Sequence, residues 1–290
     1  MAEQVQKPSK YLRFDRSQRI EHAVLVLSFT ILGITGLPQM YPDSWIGNGL
    51  IRAVGGIEMI RIIHRASAVI LIILSIYHVS AVIYKIYVRR IGLSMLPSWK
   101  DVTDAGHLLA YNLGRAPEGP AMPRYTFAEK MEYWAVVWGT VVMIITGFML
   151  WNPIATTRFF PGQFIPVSKA AHGGEALLAV LAIVTWHLYH VHIKHFNRSI
   201  FTGYMEREVM EEEHALELAQ IEAGEIAPPP PPDLVRQRRR VFVPLVAIAS
   251  VVLLLGLAWF VTFEQTAITT VPRESVEVFV PADSPAENAP

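Results

Sequence analysis

The sequence predicts an all-α integral membrane protein: a four-helix transmembrane bundle followed by a fifth, C-terminal transmembrane helix. Three observations predict it. Of the 290 residues, 52% are hydrophobic and only 17% are charged. The apolar residues gather into five long blocks, while Lys, Arg, Asp and Glu collect in the connectors between them. A hydrocarbon core about 30 Å thick takes roughly 20 helical residues, and each block reaches that length.

The first block, 20–40, closes on Gly36, Leu37 and Pro38, which predicts a helix stop there. The second, 57–84, follows a glycine-containing connector. The third, 130–151, carries Trp134, Trp138 and Trp151 near its ends, where interfacial aromatics are favoured, and stops at Asn152-Pro153. The fourth covers 169–193 and the fifth 241–263. The blocks lack the polar alternation of soluble amphipathic helices, so they read as membrane spans. The domain plan is therefore a four-helix unit over 1–204, a cytoplasmic acidic helix with a Pro-rich linker over 205–240, the fifth span over 241–263 and a tail outside the cytoplasm over 264–290. Residues 205–222 read as an acidic surface helix, and Pro228 to Pro232 as a stiff spacer. The Pro-, Glu- and Ala-rich tail reads as extended.

Basic residues set the orientation. One side receives Lys7, Lys10, Arg13, Arg16 and Arg19, then Lys85, Arg89, Arg90, Lys100, Arg115 and Arg124, then Arg236 and Arg238 to Arg240. The other side has mainly Arg52, Arg61, Arg158 and Lys169. The expected arrangement is a multi-pass protein of a bacterial-type inner membrane, N-terminus in the cytoplasm and C-terminus outside. The first block reads as an uncleaved anchor, since no signal-peptide cleavage pattern precedes it.

Formal net charge is zero, which points to no polyanionic partner, and nothing suggests nucleic-acid binding. Cysteine is absent, so disulfides, thiolate metal sites, covalent c-type haem and Cys-ligated clusters are excluded within this chain. Hydrolase and nucleotide-binding motifs of the HExxH, P-loop and nucleophile-elbow kinds are missing too.

Histidine carries the chemistry. His64 and His78 lie 14 positions apart in the second block, and His172 and His187 lie 15 apart in the fourth. On an α-helix these spacings return to within roughly 40° and 60° of the starting direction, about 21 to 23 Å along the axis. Each helix thus offers two imidazoles on one face at two depths, which suits two haems stacked across a bilayer. Intramembrane ionisable residues are costly and usually functional. The outer haem takes His64 and His172, with Arg61, Arg65 and Lys169 within reach of its propionates. The inner haem takes His187, with either His22 or His78 opposite. His190 lines up with His172 on an ideal helix, so it opens a third haem site; the expected count is two or three b haems. His192 and His195 read as interfacial, His107 and His214 as surface residues. Glycines at 33, 36, 139, 147, 173 and 174 would allow close approach of helices or macrocycles.

These residues, with the runs around them, resemble a known family. The runs are FDRSQRIEH over 14–22, Thr35-Gly36, RIIH over 61–64, RYTFAEKMEYW over 124–134 and TGFMLWNP over 146–153. FFP over 159–161, His172, HLY over 187–189 and RSIFTG over 198–203 continue the series. Over roughly 11–210 the chain resembles the cytochrome b (gamma) subunit of respiratory formate dehydrogenases, and the related subunits of membrane-bound hydrogenases and thiosulfate reductases. The resemblance implies four helices with two b haems, the outer held by His64 and His172 and the inner by His22 and His187. It also implies a quinone pocket near the inner haem, close to Tyr125 and Thr126, where Thr126 stands at a position often occupied by Asn. His78 and His190 depart from that pattern; His78 is similar to the doubled histidines of cytochrome b in quinol–cytochrome c complexes. The fifth span and tail are additional.

The expected function is electron transfer between the quinone pool and a redox partner outside the cytoplasm. Partners would be a c-type cytochrome or an iron–sulfur or molybdenum subunit, with membrane lipid around the helices. The alternative is a haem-bearing anchor that wires electrons through a larger complex without quinone turnover of its own.

Overall fold

The computed structural model describes residues 8–194, 196–226 and 228–264. Lys7, His195 and the tail beyond Glu264 lie outside the described residues. The chain runs β1 (Lys10–Leu12), α1 (Arg16–Met40), α2 (Trp45–Val54), α3 (Ile57–Tyr87), α4 (Trp99–Asn112), α5 (Phe127–Trp151), α6 (Pro153–Phe159) and α7 (Phe164–Ala182). Helix α7 continues through two π-helical stretches, Ile183–His187 and Tyr189–Lys194. Then come α8 (Ser199–Thr202), β2 (Tyr204–Glu206), α9 (Arg207–Glu213), α10 (Ala215–Glu222) and α11 (Pro232–Thr262). The protein is an all-α integral membrane protein with five helices long and apolar enough to span: α1, α3, α5, α7 with its π continuation, and α11.

Helix α1 packs along α3, α5 along α7, and α1 against α7. Inside lipid no hydrophobic effect drives helices together, so close contacts rely on small residues and polar groups. The buried residues facing neighbouring helices fit this: Ser28, Thr35, Ser67, Gly139 and Thr146. Helix α11 lies against α3. Phe242, three turns into it, packs on Tyr84 and Tyr87, and Phe260 near its end packs on Phe148 and Trp151 of α5.

Three expectations about element boundaries are corrected. Helix α1 does not stop at Pro38 but runs to Met40. Proline removes one ladder donor, and the Gln39 side chain donates to the Thr35 carbonyl beside the gap at 2.9 Å. Residues 205–222 are not one surface helix: β2 opens the segment and α9 breaks from α10 at His214. The fifth span begins at Pro232, so the cationic run Arg236 to Arg240 is helical and not linker.

The break at His214 belongs to a cap at the end of the bundle that carries most basic residues. Strands β1 and β2 pair antiparallel, Tyr11 opposite Met205. Tyr11, Met205, Met210 and Leu218 bury together. Arg13, 2% exposed, bonds Glu217 at 3.0 Å and Glu129 of α5 at 3.1 Å. Arg124 bonds the same Glu217 at 2.6 Å and the Arg13 carbonyl at 2.8 Å. His214, expected at the surface, is only 1% exposed and donates through Nδ1 to the Pro123 carbonyl at 2.9 Å. The cap thus clamps the N-terminal strand and the 122–126 loop onto the start of α5. Helix α4 docks on α5 through Lys130, buried and paired with Asp101 at 2.7 Å.

Burial, and then the charge of Arg13, hold the His214 pKa below its ordinary value of 6.5, against the opposing pull of Glu129 and Glu213. Unfolded, this imidazole takes a proton as pH falls through 6.5; folded, it resists. Stability from the cap is therefore present above pH 6.5 and declines below it. Amide exchange over 204–222 is expected to quicken between about pH 7.5 and about pH 5.5 relative to the spans. His214→Asn is expected to flatten that dependence, and an unchanged pH profile in the variant would refute it.

Candidate functional site

Seven of the ten histidines sit in α1, α3 and the α7 segment, and the fold sorts them. His64 of α3 and His172 of α7 face each other, ring centres 6.4 Å apart and planes at 64°. His22 of α1 and His187 of the π segment do the same at 6.4 Å and 37°. Two imidazoles bonded to one iron through Nε2 at about 2 Å have ring centres roughly 6 Å apart. Both pairs thus hold the separation that an iron between them requires, while neither is close enough for a direct hydrogen bond between rings.

The hydrogen bonds assign the tautomers. Thr35 Oγ1 spends its one proton on the Ile31 carbonyl at 2.6 Å, so toward His64 Nδ1, at 3.0 Å, it accepts. Thr146 repeats this, donating to Val142 O at 2.6 Å and accepting from His172 Nδ1 at 2.9 Å. His187 Nδ1 donates to Glu132 Oε2 at 2.9 Å. In each case Nδ1 carries the proton and Nε2 keeps the lone pair a metal needs; such outer partners fix ring orientation and raise ligand basicity. A glycine follows each threonine. A Cβ on Gly36 would stand 3.1 Å from His64 Cε1, and one on Gly147 3.4 Å from His172 Cε1, so the bare backbone seats each ring.

His78 is occupied differently. Its Nδ1 donates to Glu21 Oε2 at 2.7 Å and its Nε2 accepts from the Tyr133 hydroxyl at 3.0 Å. Both nitrogens are used. His190 donates through Nδ1 to the Trp186 carbonyl at 2.9 Å and lies against the Trp186 and Tyr189 rings. Among the described residues no histidine ring faces it. His192 contacts Phe196, and His107 is exposed on α4.

An internal repeat explains the sorting. Ile-Thr-Gly occurs at 34–36 and at 145–147. Glu21 and Glu132 each precede the threonine by 14 residues, and His22 and Tyr133 each follow the glutamate by one. The α1–α3 and α5–α7 pairs therefore carry equivalent residues at equivalent depths. Glu21 holds His78 as Glu132 holds His187. The difference is the residue opposite: His187 meets His22, whereas His78 meets Tyr133. The odd spacing, 14 in α3 but 15 in α7, is absorbed by the π turn Ile183–His187. An i→i+5 turn takes up one extra residue, which resets the face beyond it by about 100°. That reset also removes His190 from the line with His172 that ideal α-helical arithmetic gives.

Glu21, Thr35, Glu132, Tyr133 and Thr146 were not singled out from the sequence as site residues; the repeated Ile-Thr-Gly and the matched 14-residue intervals are the signal for them. The other expected residues lie at the two ends. Arg61 pairs with Glu58 at 2.7 Å. Arg65 pairs with Glu264 at 3.2 Å and lies over the Trp151 ring. Lys169 is exposed one turn before His172. At the opposite end Tyr125 is flanked by the guanidinium groups of Arg13 and Arg124 at 5.2 and 5.6 Å. Thr126 caps α5, its hydroxyl accepting from Glu129 N–H at 3.1 Å.

Comparison with known proteins is consistent with this geometry. Residues 1–98 match the family described as prokaryotic cytochrome b561. Over 206 residues the chain is 21% identical to the nitrate-inducible formate dehydrogenase cytochrome b556(Fdn) subunit of Escherichia coli strain K12, spanning 70% of this chain and 88% of the relative. Over 192 residues it is 23% identical to the formate dehydrogenase cytochrome b556(fdo) subunit of the same strain, spanning 61% and 77%. A formate dehydrogenase cytochrome b556 subunit of Haemophilus influenzae is 23% identical over 191 residues, spanning 64% and 72%.

The Glu21–His78–Tyr133 chain is expected to be structural glue of unequal links. Tyr133→Phe removes one neutral hydrogen bond, about 1 kcal/mol, whereas His78→Phe leaves a carboxylate without its imidazole donor, about 1–3 kcal/mol. Thermal unfolding of both variants in detergent checks this, and equal losses would show that His78 does not hold Glu21.

Proposed function

We propose that this chain, similar to formate dehydrogenase cytochrome b556 subunits, is a membrane b-type cytochrome of respiratory electron transfer that works with other redox subunits and carries two b haems. It passes electrons between the quinone pool and a redox partner outside the cytoplasm. The observation that carries this reading is the two pairs of facing histidines at two depths, three of the four rings with Nδ1 satisfied and Nε2 left for iron. His64 and His172 hold the outer haem, His22 and His187 the inner one. The bound haems would supply one-electron redox chemistry. The chain's own part is to hold the rings: Thr35, Thr146 and Glu132 fix the tautomers, and Gly36 and Gly147 keep side chains out of the ring plane's path. Lys169, exposed beside His172, is the basic residue best placed for an outer propionate, while Arg61 and Arg65 already have carboxylate partners. His78 and His190 are assigned no iron. The count is two and not three, because Tyr133 takes the lone pair of His78 and no histidine ring faces His190 among the described residues.

The distribution of basic residues supports a cytoplasmic N-terminus, with the inner pair toward that side. There the family reading puts quinone exchange near Tyr125 and Thr126. One observation favours the second reading, a wire without quinone turnover: the Thr126 hydroxyl is committed to capping α5, and Tyr125 is covered by two arginines. Partners outside the cytoplasm would be a c-type cytochrome or an iron–sulfur or molybdenum subunit, since a chain without cysteine holds neither covalent c-type haem nor a Cys-ligated cluster.

Haem b per purified chain is expected to be two. His22→Ala is expected to lose one haem and His64→Ala the other, while His78→Ala keeps both. Loss of a haem in His78→Ala, or a third haem in the unaltered chain, would contradict the assignment.

A further inference from the structure

At the basic end of the bundle, α1, α3 and Phe242 of α11 line an open cleft of about 600 Å³. Arg16, Lys85 and Arg89 line it, with Asp15 as the one carboxylate. Asp15 is engaged by Lys85 at 2.8 Å. Burial pushes the Asp15 carboxyl pKa up, but Lys85 and the Gln18 N–H outweigh this and hold it below its ordinary value, so the carboxylate stays charged and tied to the lysine. Arg16 and Arg89 are exposed, and neither has a carboxylate partner among the described residues. The cleft is therefore net cationic. Its walls are not: Tyr84 and Phe242 stand in it, ring centres 5.6 Å apart. Helix α11 is anchored beside it by Arg238, which donates to the Tyr87 carbonyl at 2.7 Å.

We propose that this cleft binds the phosphodiester of an anionic phospholipid, such as phosphatidylglycerol or cardiolipin, with the acyl chains lying along the α3–α11 seam. Cationic pockets between helices at the membrane's cytoplasmic face are suited to acidic headgroups, and aromatic rings at that level suit the glycerol region. A quinone headgroup carries no charge to answer the two unpaired guanidinium groups of Arg16 and Arg89. A soluble phosphate would gain nothing from the apolar walls. The lipid would bridge α1 and α3 to α11, the helix that otherwise contacts the bundle on one flank. This inference rests on the membrane fold alone and is independent of the haem assignment.

The test uses the purified full-length chain in neutral detergent. Phosphatidylglycerol, phosphatidylcholine or inorganic phosphate is added, and lipid retention is read by native mass spectrometry alongside the thermal shift. Phosphatidylglycerol is expected to be retained and stabilising, phosphatidylcholine and phosphate much less so. Arg89→Gln is expected to weaken phosphatidylglycerol binding about fivefold, and Arg16→Gln with Arg89→Gln roughly thirtyfold. The control Arg52→Gln with Arg158→Gln removes equal charge at the opposite end and is expected to leave binding unchanged. Equal weakening in the control, equal retention of phosphatidylcholine, or a shift reproduced by phosphate alone would each overturn the proposal.

Discussion

Everything in this bundle turns on the hydrogen bond made by histidine Nδ1. Inside a membrane an imidazole has no water to satisfy it, and a buried polar group without a partner costs several kcal/mol in hydrocarbon. Three of the four facing rings hand the Nδ1 proton to a committed acceptor: the hydroxyls of Thr35 and Thr146, and the carboxylate of Glu132. That one bond fixes the tautomer, the ring direction and the availability of Nε2. Where the second nitrogen is also taken, as at His78 by Tyr133, the same residue type becomes a packing element.

The four-helix unit reads as two copies of one helical hairpin pattern that have diverged at a single decisive pair. A glutamate one residue before His22 or Tyr133, and a Thr-Gly fourteen residues further on, recur in α1 and α5. Each threonine donates back to the carbonyl four residues earlier, a bond that slightly destabilises a helix, and here the hydroxyl gains a second role as acceptor. The π turn in α7 is a local departure from the regular ladder, a form often found at functional sites. It lets a segment one residue longer bring His187 opposite His22. Cap and α11 act around this unit: the Arg13–Glu217–Arg124 network holds the loop before α5, and Arg65 ties α3 to Glu264 beyond α11.

Much of the fold was legible because membrane spans are written in composition. Four of the five helices fall on the apolar blocks with boundary shifts of a few residues, and Trp151-Asn152-Pro153 ends α5 where proline chemistry says it should. The fifth starts earlier than its apolar core, because an arginine-rich turn is polar by composition yet helical by backbone. That His64 faces His172 was legible from spacing alone. The inner pair was not, since α-helical arithmetic is blind to a π turn, and the residue that closes His78 lies 55 positions away on another helix. The burial of His214 was not legible for a related reason: a histidine amid glutamates looks solvated, and the Pro123 carbonyl and Arg13 that meet it come from distant parts of the chain.

The central claim is that two, and only two, bis-histidine irons sit in this chain. The most direct measurement is an anaerobic redox titration of the purified protein followed by low-temperature EPR. Two one-electron components are expected, both low-spin with bis-imidazole signatures, one vanishing in His22→Ala and the other in His64→Ala. A single component, a high-spin signal in the unaltered protein, or a component that vanishes only in His78→Ala would contradict it.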